Sequence, residues 1–234
     1  MKLLVVIPTY NEIENIGKII PEVMNVIPAD GGIIIVDDGS PDGTAECVKE
    51  YLGKYEGRLN ILERTQKNGL ADAYITGFKW GFEHGYDVLC EMDADFSHKP
   101  EYLPIMWNEI QTHDVVIGSR NVKGGAVKGW SVLRNFISKG GSLYSRVVLG
   151  CSIKDLTGGF NMWRKTALDA IGMNTIVSRG YSFQIEMKYK AYRAGCNIKE
   201  IPIVFPDRIA GKSKMSGGIF TEALKAVWKI RKTK

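Results

Sequence analysis

Short apolar runs recur along the first 120 residues, with helical patterns filling the gaps between them. Leu3–Ile7 is one continuous run, and Ile33-Ile34-Ile35-Val36 is another. Arg58–Leu62, Asp87–Met92 and Val115–Ile117 are shorter candidates. Helical spacing marks Ile13–Val26, Thr44–Tyr55, Leu70–His84 and Pro100–Gln111. Runs with no polar alternation are strands buried on both faces, and helical crossovers of this length join parallel neighbours. The chain is therefore read as α/β with a mainly parallel sheet flanked by helices. Sheets of this kind bind ligands beyond the carboxyl ends of their strands. Here those ends read Pro8-Thr9-Tyr10-Asn11-Glu12, Asp37-Asp38-Gly39-Ser40 and Asp93-Ala94-Asp95.

After Gly118 the pattern changes. Asn121–Gly129 is a glycine- and lysine-rich loop. A helical seam follows in Leu133, Phe136, Ile137, Tyr144, Val147 and Val148, with Gly140-Gly141 placed to bend or split it. A loop over Asp155–Phe160, helices near Lys165–Ala170 and Gln184–Ala194, a strand over Ile198–Val204 and a polar loop over Arg208–Gly218 come next. A last helix begins near Ile219. The organisation expected is one domain over residues 1–218, with a basic segment at 121–150, followed by a basic amphipathic helix over 219–234.

The net charge of +5 is unevenly placed. Residues 120–150 hold six Lys/Arg and no acid, and residues 208–234 hold eight against Glu222. These two segments carry +13, which leaves −8 on the rest. An acidic body with two basic segments points to an anionic partner, set against the plainer reading of a solvated surface. The four cysteines (Cys47, Cys90, Cys151, Cys196) form no C-x-x-C pair, so reduced thiols are expected and a zinc site is not. Met1 runs straight into strand-like sequence, so no signal peptide is expected. No stretch of 18 apolar residues is present, so no membrane span is expected.

Asp93-Ala94-Asp95 closes an apolar strand. Alternate carboxylates there suit one hard cation, Mg²⁺ or Mn²⁺, completed by water and substrate phosphates; a cap for the following helix is the plain alternative. Asp37–Gly43 reads as a turn and helix cap with an Asp to spare for a nucleobase or ribose. Arg134 and Ser138, four apart on a helix, share a face and suit a phosphate monoester; a surface Arg and a solvent-facing Ser are the alternative. His84, His98 and His113 lack metal spacing and read as surface or packing residues. The dinucleotide fingerprint and the G-x-S-x-G and H-E-x-x-H motifs are missing. Gly211-Lys212-Ser213 fails as a phosphate loop because Pro206 stands where that motif needs Gly.

Taken in order, Pro8–Glu12, Asp37–Thr44 and Met92–Asp95 resemble the inverting family 2 glycosyltransferases of the GT-A fold. Asp155–Phe160, Gly180–Met187 and Asp207-Arg208 through Gly211–Lys214 narrow the resemblance to the dolichol-phosphate (polyprenol-phosphate) mannosyltransferases, over about residues 3–220. The resemblance implies a GT-A (nucleotide-diphospho-sugar transferase) domain, GDP-mannose as donor and a polyprenyl monophosphate as acceptor. Pro8, Tyr10, Glu12, Val36 and Asp38 would frame the guanine nucleotide. Asp93 and Asp95 would bind its diphosphate through Mg²⁺ or Mn²⁺, with Ala94 in contact with the nucleotide. Ser97 stands where some relatives place a Gln metal ligand. Arg208 and Lys214 would hold donor phosphates. Arg120, Arg134 and Ser138 would receive the acceptor phosphate, with Asp95, Arg120 and Arg134 carrying catalysis. Asp155 is read as a sugar-hydroxyl ligand or, equally, as a cap for the Thr157–Phe160 turn.

A lipid acceptor implies a membrane surface as partner, at its cytoplasmic face, with no nucleic acid bound. Phe220, Ala223, Leu224, Val227 and Trp228 form one face of the last helix, and Lys225, Lys229 and Lys232 the other. That pattern is read as interfacial, against packing on the core. A membrane-anchoring partner subunit is the second route to the bilayer. The rival readings are a prenyl-phosphate transferase using another donor, such as UDP-glucose, and a non-catalytic nucleotide-binding peripheral membrane protein.

Overall fold

A computed structural model describes residues 1–66, 69–129, 132–178, 180–206 and 226–232. Its centre is a seven-stranded sheet in the order β3-β2-β1-β4-β7-β5-β8. The strands are β1 (Leu3–Thr9), β2 (Gly32–Asp37), β3 (Leu59–Glu63), β4 (Val88–Glu91), β5 (Val115–Ser119), β7 (Asn161–Arg164) and β8 (Ile198–Pro202). All neighbouring pairs are parallel except those made by β7, which runs antiparallel between β4 and β5. Two short strands, β6 (Ala126–Val127) and β9 (Val204–Phe205), pair beside the main sheet.

Both faces of the sheet are covered, which explains the unbroken apolar runs. Leu3, Val5, Ile7, Ile33 and Ile35 face a core shared with α1 (Ile13–Val26), α2 (Thr44–Leu52) and α4 (Leu103–Ile110). Leu4, Val6, Ile34 and Val36 face the opposite core, built with α3 (Leu70–Glu83), α5 (Val132–Leu149), α6 (Lys165–Ala170) and α7 (Tyr181–Arg193). Each such aliphatic side chain contributes about 1.5–3 kcal/mol by leaving water. Helix α3 lies close on β1: a Cβ at Gly77 would sit 2.4 Å from Val6 Cγ1. Only glycine permits that approach.

Several elements differ from the sequence pattern. Helix α5 runs unbroken through Gly140 and Gly141, and Ser145 Oγ donates to the Gly141 carbonyl at 2.8 Å. The segment read as one strand over Ile198–Val204 divides into β8 and β9. The short strand β7 carries no periodic signal, since only four residues are extended. In the C-terminal helical segment at 226–232, Val227 and Ile230 are buried in the core while Trp228 remains 48% exposed. Val227 therefore packs inward rather than sharing an outward face with Trp228. Phe220, Ala223, Leu224 and Lys225 lie outside the described residues.

Beneath the strand ends lies a buried polar network. Glu91 on β4 accepts hydrogen bonds from Asn161 Nδ2 (2.6 Å), Trp163 Nε1 (3.1 Å) and Gln184 Nε2 (2.9 Å). It thereby ties β4 to β7 and α7. Burial, the largest influence, raises the Glu91 carboxyl to about 7, against these three donors and the charge of Lys188. The folded chain thus keeps a proton that the unfolded chain releases near 4.5. Stability from this group is full below 4.5 and is lost as pH rises through about 7. In urea unfolding, the stability of wild type relative to Glu91→Gln should fall as pH rises across that window. A difference that does not change with pH would mean Glu91 has the same charge in both states.

Candidate active site

The carboxyl ends of β1, β2 and β4 meet at one edge of the sheet, and their turns are cross-linked. Asp37 accepts from Thr9 Oγ1 (2.8 Å), from the Ser40 N–H (2.8 Å) and from Ser40 Oγ (2.6 Å). Asp42 accepts from the Ile13 N–H (3.1 Å) and Thr44 Oγ1 (2.6 Å), while Thr44 Oγ1 receives the Glu12 N–H (3.0 Å). Burial pushes the Asp42 carboxyl up, but these donors outweigh it and hold it below its usual value. Gly39 sits at φ +70°, where a side chain would be strained and would also meet the Arg64 carbonyl at 3.1 Å. So Asp37 and Asp42 build the turn, and Asp38 between them is buried and paired elsewhere.

Asp38 has a partner that sequence reading missed. Arg64, just after β3, donates through Nε to Asp38 Oδ1 at 2.6 Å and also pairs with Asp72 on α3. No motif surrounds Arg64, so only the fold reveals the pair. Pro8 and Tyr10 are half-buried at the β1 end, as is Glu12, which receives Asn15 Nδ2 at 2.9 Å. Val36 is wholly buried, with Cγ2 directed at α3 near Gly77. Its side chain packs in the core beneath the strand end. Ala94 is likewise buried, packed in the core on the other side of the sheet.

Asp93 and Asp95 follow β4 directly. Asp93 keeps 31% of its side chain exposed and receives the Tyr74 hydroxyl on Oδ1 at 3.1 Å. Burial, with Asp93 beside it, keeps the Tyr74 phenol protonated and therefore a donor. The Asp93 N–H donates to His98 Nδ1 at 2.9 Å. His98 is buried, stacks on Phe160 with ring centroids 4.9 Å apart, and is held below its usual pKa by burial. Its packing role is as expected, but its place under Asp93 was not visible from spacing. Asp95 Oδ1 receives both the Ser97 N–H (3.1 Å) and Ser97 Oγ (2.5 Å). Ser97 thus turns its hydroxyl onto Asp95 and orients it. Between them Phe96 has φ +62°, a conformation costing on the order of 1–3 kcal/mol.

Two carboxylates two residues apart just beyond a strand, one partly open, offer the hard oxygen donors that Mg²⁺ or Mn²⁺ takes. Among the described residues no group of three or more His, Cys, Asp or Glu could hold a metal. The pair therefore fits a cation whose remaining positions are filled by water and substrate phosphates.

The other edge of the site is basic. Arg120, after β5, donates through its N–H (2.9 Å) and Nε (2.8 Å) to Asp155 Oδ2, and through Nη2 to Oδ1 (2.7 Å) and Thr157 Oγ1 (2.9 Å). Asp155 is fully buried and also receives the Gly158 N–H at 3.0 Å. Burial pushes its carboxyl up, but the Arg120 guanidinium outweighs this and holds it well below the usual range. The Gly158 N–H bond makes Asp155 a cap for the turn that follows it. Arg120 likewise enters the site with much of its guanidinium committed to Asp155 and Thr157. Lys188 Nζ completes the frame by donating to the Asp155 (2.9 Å) and Gly158 (2.6 Å) carbonyls. Ser138 is half-buried on α5, one turn beyond Arg134. The Arg134 side chain, Arg208 and Lys214 lie outside the described residues.

A model of the family "Glycosyl transferase family 2" matches residues 4–172. The chain is 46% identical over 224 residues to the undecaprenyl-phosphate mannosyltransferase of Micrococcus luteus, covering 96% of this chain and 91% of that protein. It is 43% identical to the polyprenol monophosphomannose synthase of Mycolicibacterium smegmatis, covering 98% and 88% respectively. Among solved structures, Mycobacterium tuberculosis glucosyl-3-phosphoglycerate synthase with Mn²⁺, UDP and glucosyl-3-phosphoglycerate superposes with a TM-score of 0.71 at 16% identity, over 100% of this chain and 81% of that one. That likeness concerns the fold, which is GT-A. The family match across most of the chain, together with relatives of this identity, means that the chain belongs to glycosyl transferase family 2.

Proposed function

We propose that the protein transfers mannose from GDP-mannose to a polyprenyl monophosphate at the cytoplasmic face of a membrane, with inversion at the sugar. One observation carries this reading. The Asp93/Asp95 pair stands intact at the β4 end, in a chain 46% identical along 96% of its length to an undecaprenyl-phosphate mannosyltransferase.

The acceptor is its own nucleophile. A phosphate monoester has a second pKa near ~6, so at neutral pH it is mainly dianionic and needs no strong general base. Its oxygen forms the new bond to the anomeric carbon. The bond from that carbon to the GDP diphosphate breaks, and the electron pair leaves with GDP. Catalysis then consists of alignment and of stabilising the departing diphosphate. A divalent cation held by Asp93 and Asp95 supplies charge neutralisation there when bound. Tyr74 and Ser97 hold the two carboxylates in place through the hydrogen bonds described above. Pro8, Tyr10, Glu12 and Asp38 frame the nucleotide, and Arg208 and Lys214 meet its phosphates. Arg134 and Ser138 receive the acceptor phosphate, beside an Arg120 already positioned by Asp155. No described helix is long and apolar enough to cross a membrane. The exposed Trp228, Lys229, Arg231 and Lys232 support contact with a membrane surface.

The direct test supplies radiolabelled GDP-mannose or UDP-glucose to the full chain with polyprenyl phosphate and Mg²⁺ or Mn²⁺. Label should enter the lipid phase from GDP-mannose alone, and chelation should abolish it. Lipid labelling from UDP-glucose instead would overturn the donor assignment. Asp95→Ala should lower kcat/KM by about a thousandfold or more, since it removes half of the cation site. Unimpaired transfer by this variant would sink the metal assignment. Arg134→Ala should raise the acceptor KM about 10–100-fold while the donor KM stays put, the loss expected for one charge-assisted contact. An unchanged acceptor KM would place that phosphate elsewhere.

A further inference from the structure

Beside Arg120 lies an open cavity of about 360 Å³, between helix α5 and the loop that follows β5. Its wall includes Arg120, Lys139, Ser142, Leu143, Arg146 and Lys154, and none of the described residues that line it is acidic. The carboxylates behind that wall are turned to other work. Asp155 is paired with Arg120, and Glu200 receives the Lys154 (2.8 Å) and Asp155 (2.9 Å) backbone N–H groups. The Lys154 backbone is pinned on both sides, since its carbonyl accepts Asn121 Nδ2 at 3.1 Å. Arg146 Nε is buried with no hydrogen-bond partner among the described residues. A buried guanidinium donor without an acceptor is costly unless a ligand supplies one.

The outer face of α5 carries a second sign. Lys139, Leu143, Arg146 and Val147 fall at i, i+4, i+7 and i+8 and share one side of the helix. Leu143 is 57% exposed and Val147 is 72% exposed. Large aliphatics turned outward and flanked by cations suit the boundary between lipid headgroups and acyl chains. Adjacent to them is a cavity of small-ligand size that is rich in phosphate donors.

We propose that this cavity is a docking site for the phosphodiester headgroup of an anionic membrane lipid, next to the acceptor-phosphate site and sharing Arg120 with it. Lys139, Arg146 and Lys154 hold the headgroup, and Leu143 and Val147 enter the apolar boundary. This rests on the membrane-surface reading above and adds the place and chemistry of attachment. It sets the side of the protein that carries Arg120 against the bilayer.

The test is co-sedimentation of the full chain with vesicles of phosphatidylcholine and phosphatidylglycerol, compared with phosphatidylcholine alone. Each cation removed from a membrane-facing site should weaken binding about 5-fold, so Lys139→Gln/Arg146→Gln should lose about 25-fold on anionic vesicles. Lys139→Gln/Lys154→Gln alters only exposed side chains and should lose a similar amount. Lys18→Gln/Lys79→Gln, changed on α1 and α3, should bind as wild type. Transfer to polyprenyl phosphate in detergent should keep its acceptor KM in both cavity variants. Undiminished vesicle binding by the cavity variants overturns the proposal. So does a raised acceptor KM with vesicle binding intact, which would make the cavity the acceptor's own phosphate site. Thermal stabilisation by inorganic phosphate that the cavity variants lose while still binding vesicles overturns it in favour of a soluble anion. The vesicle arm uses no sugar nucleotide, so failure of the mannosyl-transfer reading appears only in the transfer assay.

Discussion

The buried pair between Arg120 and Asp155 decides how the two halves of the site meet. Arg120 follows β5 directly, and Asp155 opens the loop that leads into β7. Three hydrogen bonds from Arg120 to one carboxylate fix that loop against the parallel sheet. Removing one member of such a pair strands a charge in the interior, at a cost of about 3–5 kcal/mol. Lys188 extends the hold from α7 by capping two carbonyls of the same loop. Glu91, Asn161 and Gln184 continue it beneath β4. The acidic residues after β4 and the arginine after β5 therefore stand on one polar frame.

At the β4 end, the carboxylates of Asp93 and Asp95 are held by neighbouring side chains. Tyr74 reaches Asp93 from α3, His98 receives the Asp93 N–H, and Ser97 occupies one oxygen of Asp95. The left-handed backbone at Phe96 bends the chain so that Ser97 can fold back onto Asp95. Strain of this kind persists only where surrounding contacts over-determine it, and here those contacts are the core under β4. The geometry is set before any substrate arrives, which is how a site lowers the cost of reorganising around a developing charge.

The charge map takes on a spatial meaning through the fold. Of the basic residues in 120–150, Arg120 is neutralised inside the protein, whereas Lys139 and Arg146 turn to a cavity wall. Val227 and Ile230 anchor the C-terminal helical segment to the core, and Arg231 lies over the exposed Trp228 ring at 5.5 Å. A basic segment in sequence thus divides into structural, site-lining and surface charges, according to which carboxylates the fold brings near.

The sequence by itself determined the sheet, its covering helices and the edge where the site lies. Continuous apolar runs such as Leu3–Ile7 can be satisfied only by burial on both faces, and the acidic tripeptide after β4 can emerge only at that strand's end. The Asp93/Asp95 pair and the turn at Asp37–Thr44 were legible for the same local reason. Strand β7, the path of α5 through Gly140-Gly141, and the inward packing of Val36, Ala94 and Val227 were decided by tertiary structure. So were the partners of the charged groups: Arg64 with Asp38, Arg120 with Asp155, and Ser97 with Asp95. These contacts join residues on different elements or depend on a backbone bend, and no periodicity records which distant group will neutralise a charge. Residue type and spacing specify what a segment must bury, but only the assembled chain specifies what each buried polar atom meets.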